Sequence, residues 1–317
     1  MQDKYQIIHK MSLKYPRRLD LQYMCLIAQV SRSGYYAYCK RIKLVSLKDI
    51  QDEIDFAYIS EAFNYLGYDK GARQIKMQLM RRHKICMNLK KIRRLMRKFG
   101  LICQIRKLNP YRQMMHDMAT NEISENKVNR HFKQGVARKI LLTDITYITY
   151  GVHKRAYLSV IKDASTNKIL SYMTSESLDV EFVLKTVQGL VESQMGDLNL
   201  QVILHSDQGA HYTSHAFKTI LTQLGIESSM SRRGNCLDNS AQESFFGHMK
   251  DEVHFKQCRT YIECVNAIIN YITYYNYDRP QWGLNRLTPH EYESYLDRDN
   301  QFPLTLPILY NQSIIYL

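Results

Sequence analysis

The feature that most constrains the fold is a change of hydrophobic period partway along the chain. Up to about residue 108, apolar residues recur at helical spacing. Tyr5, Ile8 and Met11 form one such set, then Leu21, Met24, Cys25 and Ala28, then Ile75, Leu79 and Met80, then Leu89, Ile92, Leu95, Met96 and Phe99. From Val136 the runs become β-rich: "KILLTDITYITY", "KRAYLSVIKDAS" and "KILSYMTSES", separated by short polar turns, read as an antiparallel meander. A helix over "DVEFVLKTVQGLVESQM", the strand "LQVILHSD", a helix over "SHAFKTILTQLG", the short strand "IESSMS" and a helix over "DNSAQESFFGHMKDEVHF" follow. The order β-β-β-α-β-α-β-α predicts a mixed α/β sheet with helices on its faces.

The helical preface divides further. Residues 1–45 read as three short helices, with a turn at Val30-Ser31 and a last helix opening at Arg32, in helix-turn-helix geometry that offers its first residues to a nucleic-acid groove. Residues 46–108 form a second, basic helical unit. Residues 109–135 show no sustained period, start at Asn109-Pro110 and read as a linker, with an ordered arm along the next domain as the alternative. The sheet domain then takes 136–260, and 261–317 supply a C-terminal helix and tail.

Charge follows the same division. The net charge is +14, but residues 1–140 hold 30 Lys/Arg against 11 Asp/Glu, so the remainder is net acidic. Between Lys70 and His116 there are 15 Lys/Arg and no acid, a concentration that attracts a polyanion and releases its counterions. In "MNLKKIRRLMRKFGLI" the apolar residues face inward, so Lys90, Lys91, Arg93, Arg94, Arg97 and Lys98 form an outward row suited to phosphates, closed by Gly100 as a cap. With Arg32 these are the candidate DNA contacts.

Other classes are disfavoured. No stretch reaches the roughly 18–20 apolar residues of a membrane span, and "MQDKYQIIHK" lacks a signal-peptide core, so a cytoplasmic protein is expected. The seven cysteines are scattered without a C-x-x-C pair, which suggests reduced thiols. His205, His211 and His215 with Cys236 lack zinc-module spacing, and no structural zinc is expected.

Two strand-like runs carry an acid where the core should be apolar. Asp144 sits at the centre of "LLTDITYI" and needs a partner cation or a metal to offset its desolvation. Asp207 ends "QVILHSD" before Gln208-Gly209, a place a turn-capping carboxylate also fills. Glu243 belongs to a helix that Asp238 or Asn239 can cap, with Phe245, Phe246 and Met249 toward the core. Glu243 and Lys250 are seven residues apart, about 700° of rotation, so they share a face to within ~20°, as a plain surface pair would too. Three acids from separate elements, if they converge, make an oxygen-rich site for Mg²⁺ or Mn²⁺. The spacing permits that convergence without requiring it.

"TDITYI", "HSDQGAHYTS" and "SRRGNCLDNSAQESFFGHMK" resemble the three catalytic blocks of OrfB-type DDE transposases of bacterial insertion sequences, relatives of retroviral integrases. There are 62 residues between Asp144 and Asp207 and 35 between Asp207 and Glu243, the second spacing being a hallmark of that family. "VSRSGYYAY", "YLGYDKGARQI", "LMRKFGLI" and "YNYDRPQWGLNRLTPHEY" resemble its helical domains and C-terminal signature. Two positions depart from the pattern: Leu141 stands where the family often has Trp, and Gln281 where it often has His.

The resemblance implies an RNase H-like mixed five-stranded sheet, ordered 3-2-1-4-5, with flanking helices and preceded by all-α helix-turn-helix-like DNA-binding domains. It implies that Asp144, Asp207 and Glu243 hold two Mg²⁺, with Mn²⁺ able to substitute, and that Lys250 contacts DNA beside them. His205, Ser206, Gln208-Gly209 and Asn239 match positions around the acids, with local turn bonding as the alternative reading. The activity implied is cleavage of DNA 3′ ends and strand transfer through a copied circular intermediate. The partners implied are double-stranded element ends and target, further copies of the chain on DNA, and an upstream-frame partner or fusion segment, in a nucleoid-associated setting. A non-catalytic DNA-binding regulator or targeting subunit shares the basic half and would leave the acids unused. A plain RNase H-like nuclease would not need so long a basic preface. The tyrosines of "YITYYNYDRP" either stack on bases or pack on the sheet, packing being preferred.

Overall fold

A computed structural model describes residues 2–15, 20–103, 135–193, 202–231 and 240–301, without the side chains of 2, 43–46, 240–243 and 299–301. The linker reading for 109–134, Cys236, Asn239 and the tail beyond 301 lie outside the described residues.

Helix α1 (Gln2–Lys14), α2 (Leu21–Ile27) and α3 (Arg32–Asn64) make the first unit. The Asp20 carboxylate accepts from the Gln22 N–H at 3.0 Å, and the Ser31 hydroxyl from the Gly34 N–H at 3.0 Å, so α2 and α3 each start on a side-chain cap. Ile8, Cys25 and Tyr35 are the buried centre. A Cβ on Gly34 would sit 2.2 Å from the Tyr5 hydroxyl, so α1 and α3 approach only because that position is glycine. The third helix is not short. It runs 33 residues through the expected boundary at 45/46, because no glycine or proline interrupts it after Gly34.

The second half of α3 packs on α4 (Ala72–Gln78) and α5 (Leu89–Lys98) around Ile59, Phe63, Ile75, Leu79, Ile92 and Leu95. Gly100 turns the chain out of α5 at φ +69°. The outward cation row is only partly outward. Arg94 makes two hydrogen bonds to Asp52 at 2.7 and 2.6 Å, Lys98 reaches Asp49 at 2.6 Å and Asp52 at 3.0 Å, and Lys91 reaches Asp55 at 2.5 Å. Three of the six cations therefore pair with acids of α3, Arg94 and Lys98 while still exposed, and Lys90, Arg93 and Arg97 are exposed as well. The Arg94 guanidinium first, and Lys98 with it, hold the Asp52 carboxyl well below the usual carboxylate range.

The sheet is built from β1 (Ile140–Tyr150), β2 (Lys154–Asp163), β3 (Ile169–Ser175), β4 (Ile203–Ser206) and β5 (Glu227–Met230), in the order β3-β2-β1-β4-β5. The first three strands form the antiparallel meander, and β4 and β5 add parallel to β1 and to each other. Helix α6 (Val180–Ser193), the short α7 (Ala210–Thr213) and α8 (His215–Gln223) cover one face around Leu141, Ile161, Leu204 and Met230. Helix α9 (Ser240–Glu252) and α10 (Tyr261–Tyr277) cover the other around Ile148, Tyr150, Leu158 and Val160; α11 (Pro289–Gln301) follows. Tyr271, Tyr274 and Tyr275 of the tyrosine row are buried in that layer, so packing is their role.

Two buried ionic sites fasten the pieces. Arg279 donates to both oxygens of Glu252 at 2.6–3.1 Å, and the Tyr271 hydroxyl donates to the same carboxylate at 3.1 Å, which ties the end of α9 to α10 and the segment after it. Lys70, the first cation of the acid-free run, is fully buried and donates to the carbonyls of Phe63 at 3.1 Å, Tyr65 at 2.5 Å and Tyr68 at 2.6 Å. Burial lowers its pKa to about 8. Its charge is used inside the molecule.

Removing one member of the Glu252–Arg279 pair strands a buried charge, so Arg279→Leu is expected to cost about 3–5 kcal/mol in urea unfolding, whereas the double variant Glu252→Leu/Arg279→Leu should lose less than either single change. At Asp52 the folded pKa is depressed, so its stabilising contribution is present above the ordinary carboxylate pKa and fades as pH falls below it. Melting at pH 7 and pH 3 should accordingly show a smaller gap for Asp52→Asn than for the unaltered chain.

Candidate active site

Strand register brings the first two acids together. Ile140, Leu141 and Leu142 pair with Ile203, Leu204 and His205, and the same register continued two residues, just past the end of β4, points Asp144 and Asp207 to neighbouring positions. Alternation fixes their face. Leu141 and Ile145 belong to the layer under α6 and α8, whereas Ile148 and Tyr150 lie under α9 and α10, which puts Asp144 on the second side. Asp207 follows Ile203 and His205 onto it.

Each carboxylate is half-buried and locally anchored. Asp144 Oδ1 accepts from the Ile145 N–H at 2.7 Å, and Asp207 Oδ1 from the Gly209 N–H at 2.9 Å. The turn bonding considered for Asp207 is thus present, and a Cβ at residue 209 would come within 2.9 Å of that same oxygen. Beneath them lies Tyr212, its hydroxyl 3.4 Å from Thr143 Oγ1. Burial raises this phenol well above its ordinary value, and the charges of Asp144 and Asp207 act in the same direction. Both acids therefore lie within electrostatic reach of that one hydroxyl.

The flanking polar residues bond within the protein. His205 Nδ1 lies 3.0 Å from Ser229 Oγ, Ser206 donates to the Asp207 carbonyl at 2.9 Å, and Gln208 donates to the Ser231 carbonyl at 2.9 Å. Helix α9 carries the rest. Phe245, Phe246 and Met249 are buried, and Lys250 Nζ donates to Thr146 Oγ1 at 2.5 Å while lying 5.0 Å from the Tyr147 ring centre. Thr146 is two residues beyond Asp144, so Lys250 reaches the strand that bears the first acid. The backbone of α9 includes position 243, but the Glu243 side chain lies outside the described residues. Among the described residues no three His, Cys, Asp or Glu side chains form a metal-holding group. Two carboxylates presented side by side on rigid strands are nevertheless donors of the kind that hard divalent cations take.

The sequence reading passed over Lys162. It is fully buried on β2 opposite Leu142, hence on the face under α9, and its charge helps to lower the pKa of His248, which burial depresses first and Arg279 next. The available signal was a lone lysine in "YLSVIKDAS", at a position whose period-2 neighbours, Leu158 and Val160, are core. The DNA candidate Arg32 stands exposed at the start of α3, with Gln22 Oε1 3.4 Å away.

Comparison with known proteins agrees with this architecture. An integrase core domain model matches residues 137–236, a second integrase core domain model matches 224–289, and an HTH-like domain model matches 50–108, the unit made by α3, α4 and α5. A transposase-like protein of Haemophilus influenzae is 36% identical over 216 residues, 67% of this chain and 96% of its own length. The transposase for insertion sequence element IS904 of Lactococcus lactis is 33% identical over 220 residues, 67% of this chain and 82% of that protein. Among solved structures, the catalytic core domain of BIV integrase aligns with 52% of this chain and 99% of its own at 18% identity, with a TM-score of 0.40. The relatives, the family models and the sheet order lead to one conclusion: the chain belongs to the transposases of bacterial insertion sequences, with an integrase core of RNase H-like fold behind an HTH-like helical region.

Proposed function

We propose that this transposase cleaves DNA at a 3′ end and transfers that end to a second DNA, with Asp144, Asp207 and Glu243 as its catalytic carboxylates. The observation that carries the reading is the β1–β4 register, which supports neighbouring positions for Asp144 and Asp207 just beyond its last pair, Leu142 with His205. The course of α9 supports the third position. Beyond its end the chain passes close to Gly151, whose Cβ would lie 3.2 Å from the Cys258 carbonyl, so α9 runs in the direction of β1. Stepping back seven residues from Lys250 retreats about 10 Å along the helix, and stepping from Thr146 to Asp144 retreats about 7 Å along the strand. This course supports a place for position 243 toward Asp144, on the same helical stripe as Lys250.

Two Mg²⁺, with Mn²⁺ able to substitute, would supply activation of the attacking oxygen and stabilisation of the leaving oxygen in an in-line displacement. The carboxylates, fixed by the Ile145 and Gly209 amides, hold their oxygens in place without reorganisation. In the first step a water oxygen bonds to phosphorus, the P–O3′ bond breaks, and a 3′-hydroxyl is freed. In the second step that hydroxyl attacks a target phosphodiester, exchanging one P–O bond for another. Lys250, on the rim of the same face, would pair with a phosphate of the arriving strand. Lys90, Arg93 and Arg97, exposed on α5, and Arg32 at the start of α3 would bind duplex DNA elsewhere along it. The working chain would act as several copies on DNA, with an upstream-frame partner or fusion segment, in the cytoplasm at the nucleoid. No helix among the described residues is long and apolar enough to cross a membrane.

The test is joining of a pre-cleaved element end to plasmid DNA in Mg²⁺. Asp207→Asn and Glu243→Gln should each lower joining by about 10⁴-fold with end binding retained. Equal joining by the variants would remove the carboxylate assignment, and binding without any joining by the unaltered chain would favour a regulatory role. A salt titration of DNA binding separates the α5 cations. Lys90→Gln, Arg93→Gln and Arg97→Gln should each reduce the slope of log K against log salt by about 0.9, whereas Arg94→Gln should lower the melting temperature while leaving that slope nearly unchanged.

A further inference from the structure

Strand β1 outruns its parallel neighbour. β4 pairs with it only from Ile140 to Leu142, whereas β1 continues to Tyr150, so beyond Asp144 one edge of the strand has no strand partner among the described residues. Along this stretch Thr146, Ile148 and Tyr150 are buried, and Tyr147 and Thr149 alternate with them as exposed residues. Tyr147 is 46% exposed, three residues past Asp144. Tyr157 stands opposite it on β2, partly buried against the layer under α6, and gives the Tyr147 side chain a fixed neighbour.

A lone exposed tyrosine needs no explanation, but cations gathered round one do. Lys250 Nζ lies 5.0 Å and the Arg155 guanidinium 5.4 Å from the centre of the Tyr147 ring, both within cation–π reach. Arg155 stands opposite Thr149, hence diagonal to Tyr147 on the same side of the hairpin. Neither Arg155 nor the neighbouring Lys154, both exposed, pairs with an acid among the described residues. Residues 145–162 hold His153, Lys154, Arg155 and Lys162 and no acid, within a half of the chain that is net acidic. The acids that follow β3 are engaged elsewhere: Glu176 bonds Tyr150 on the other face, and Asp179 accepts from the Ser177 hydroxyl and the Phe182 N–H.

Two like charges held at one ring favour an anion between them, and a flat exposed ring favours another π face. An unpaired nucleotide offers both, its base to the ring and its flanking phosphates to the cations. Inside a duplex the base faces are taken by stacking, so a ring at a strand edge receives only a base that has left the helix. We propose that Tyr147, with Arg155 and Lys250, holds an unpaired nucleotide of the DNA end beside the phosphodiester that reacts. The proposal rests on the assignment of Asp144 to strand joining, which says what arrives at this edge. Tyr147 touches no reacting atom; it fixes where along the strand the reacting phosphate lies.

Binding of the full-length chain to DNA without divalent metal tests this independently of the carboxylates, because no joining occurs. An element-end duplex with mismatched terminal pairs should bind about tenfold more tightly than the same duplex fully paired. Tyr147→Leu should bring that ratio close to one without changing the slope of log K against log salt, because the ring carries no charge, and Tyr147→Phe should keep the ratio. Arg155→Gln should reduce the slope for the mismatched end by about 0.7, the single-strand value. Both residues are exposed, so these variants should melt with the unaltered chain. On irradiation, 5-iodouracil at the unpaired positions should cross-link to Tyr147, identified by mass spectrometry of the linked peptide. Equal affinity for the two duplexes, a ratio that survives Tyr147→Leu or is lost in Tyr147→Phe, or cross-linking only to other residues would overturn the proposal.

Discussion

The parallel pairing of β1 with β4 is the constraint on which the rest of the molecule depends. A parallel neighbour cannot be reached by a tight turn, so the chain must first complete the meander and cross over through α6 before β4 can dock. That detour is why 62 residues separate two acids that end up adjacent. It also explains the placement of the carboxylates near the ends of the shared pairing. β4 is four residues long, and Asp207 lies just past its last residue, where the backbone is free to turn and the amide of Gly209 can reach the carboxylate.

The opposite layer depends on a different kind of force. Helix α9 is apolar on one side, but hydrophobic contact alone does not fix how far a helix slides along a sheet. The Glu252–Arg279–Tyr271 site does, because a buried carboxylate tolerates only a geometry that satisfies its oxygens. Lys250, two residues earlier, then finds Thr146. Position along α9 is set by polar bonds at its end and transmitted inward along a rigid rod.

How much of this was legible depended on whether a contact was local in sequence. The switch of period at Val136 gave the elements, and the strand-centre place of Asp144 in "LLTDITYI" marked a carboxylate in need of a partner. The strand order did not follow from any pattern in the residues; it came with the family resemblance, since nothing in "QVILHSD" says which strand lies beside it. The ion pairs of the α5 row were hidden for a related reason. Its periodicity is as regular as a solvated face would be, and the acids that claim Lys91, Arg94 and Lys98 stand on α3, far upstream. Lys70 belonged by composition to a polyanion-binding run, yet three backbone carbonyls take its ammonium. Composition locates charge but not what that charge faces.

The unbroken course of α3 makes it a ruler. Arg32 stands at its first residue, and the α5 cations are braced against its second half by the acids at 49, 52 and 55. Two small DNA-contacting units joined by a flexible tether could each settle on its own site along a duplex. Joined by one continuous helix, they present their cations at a set separation and a set angular phase. Any DNA that engages both must therefore match a distance written into the protein by the absence of a helix-breaking residue between Gly34 and Asn64.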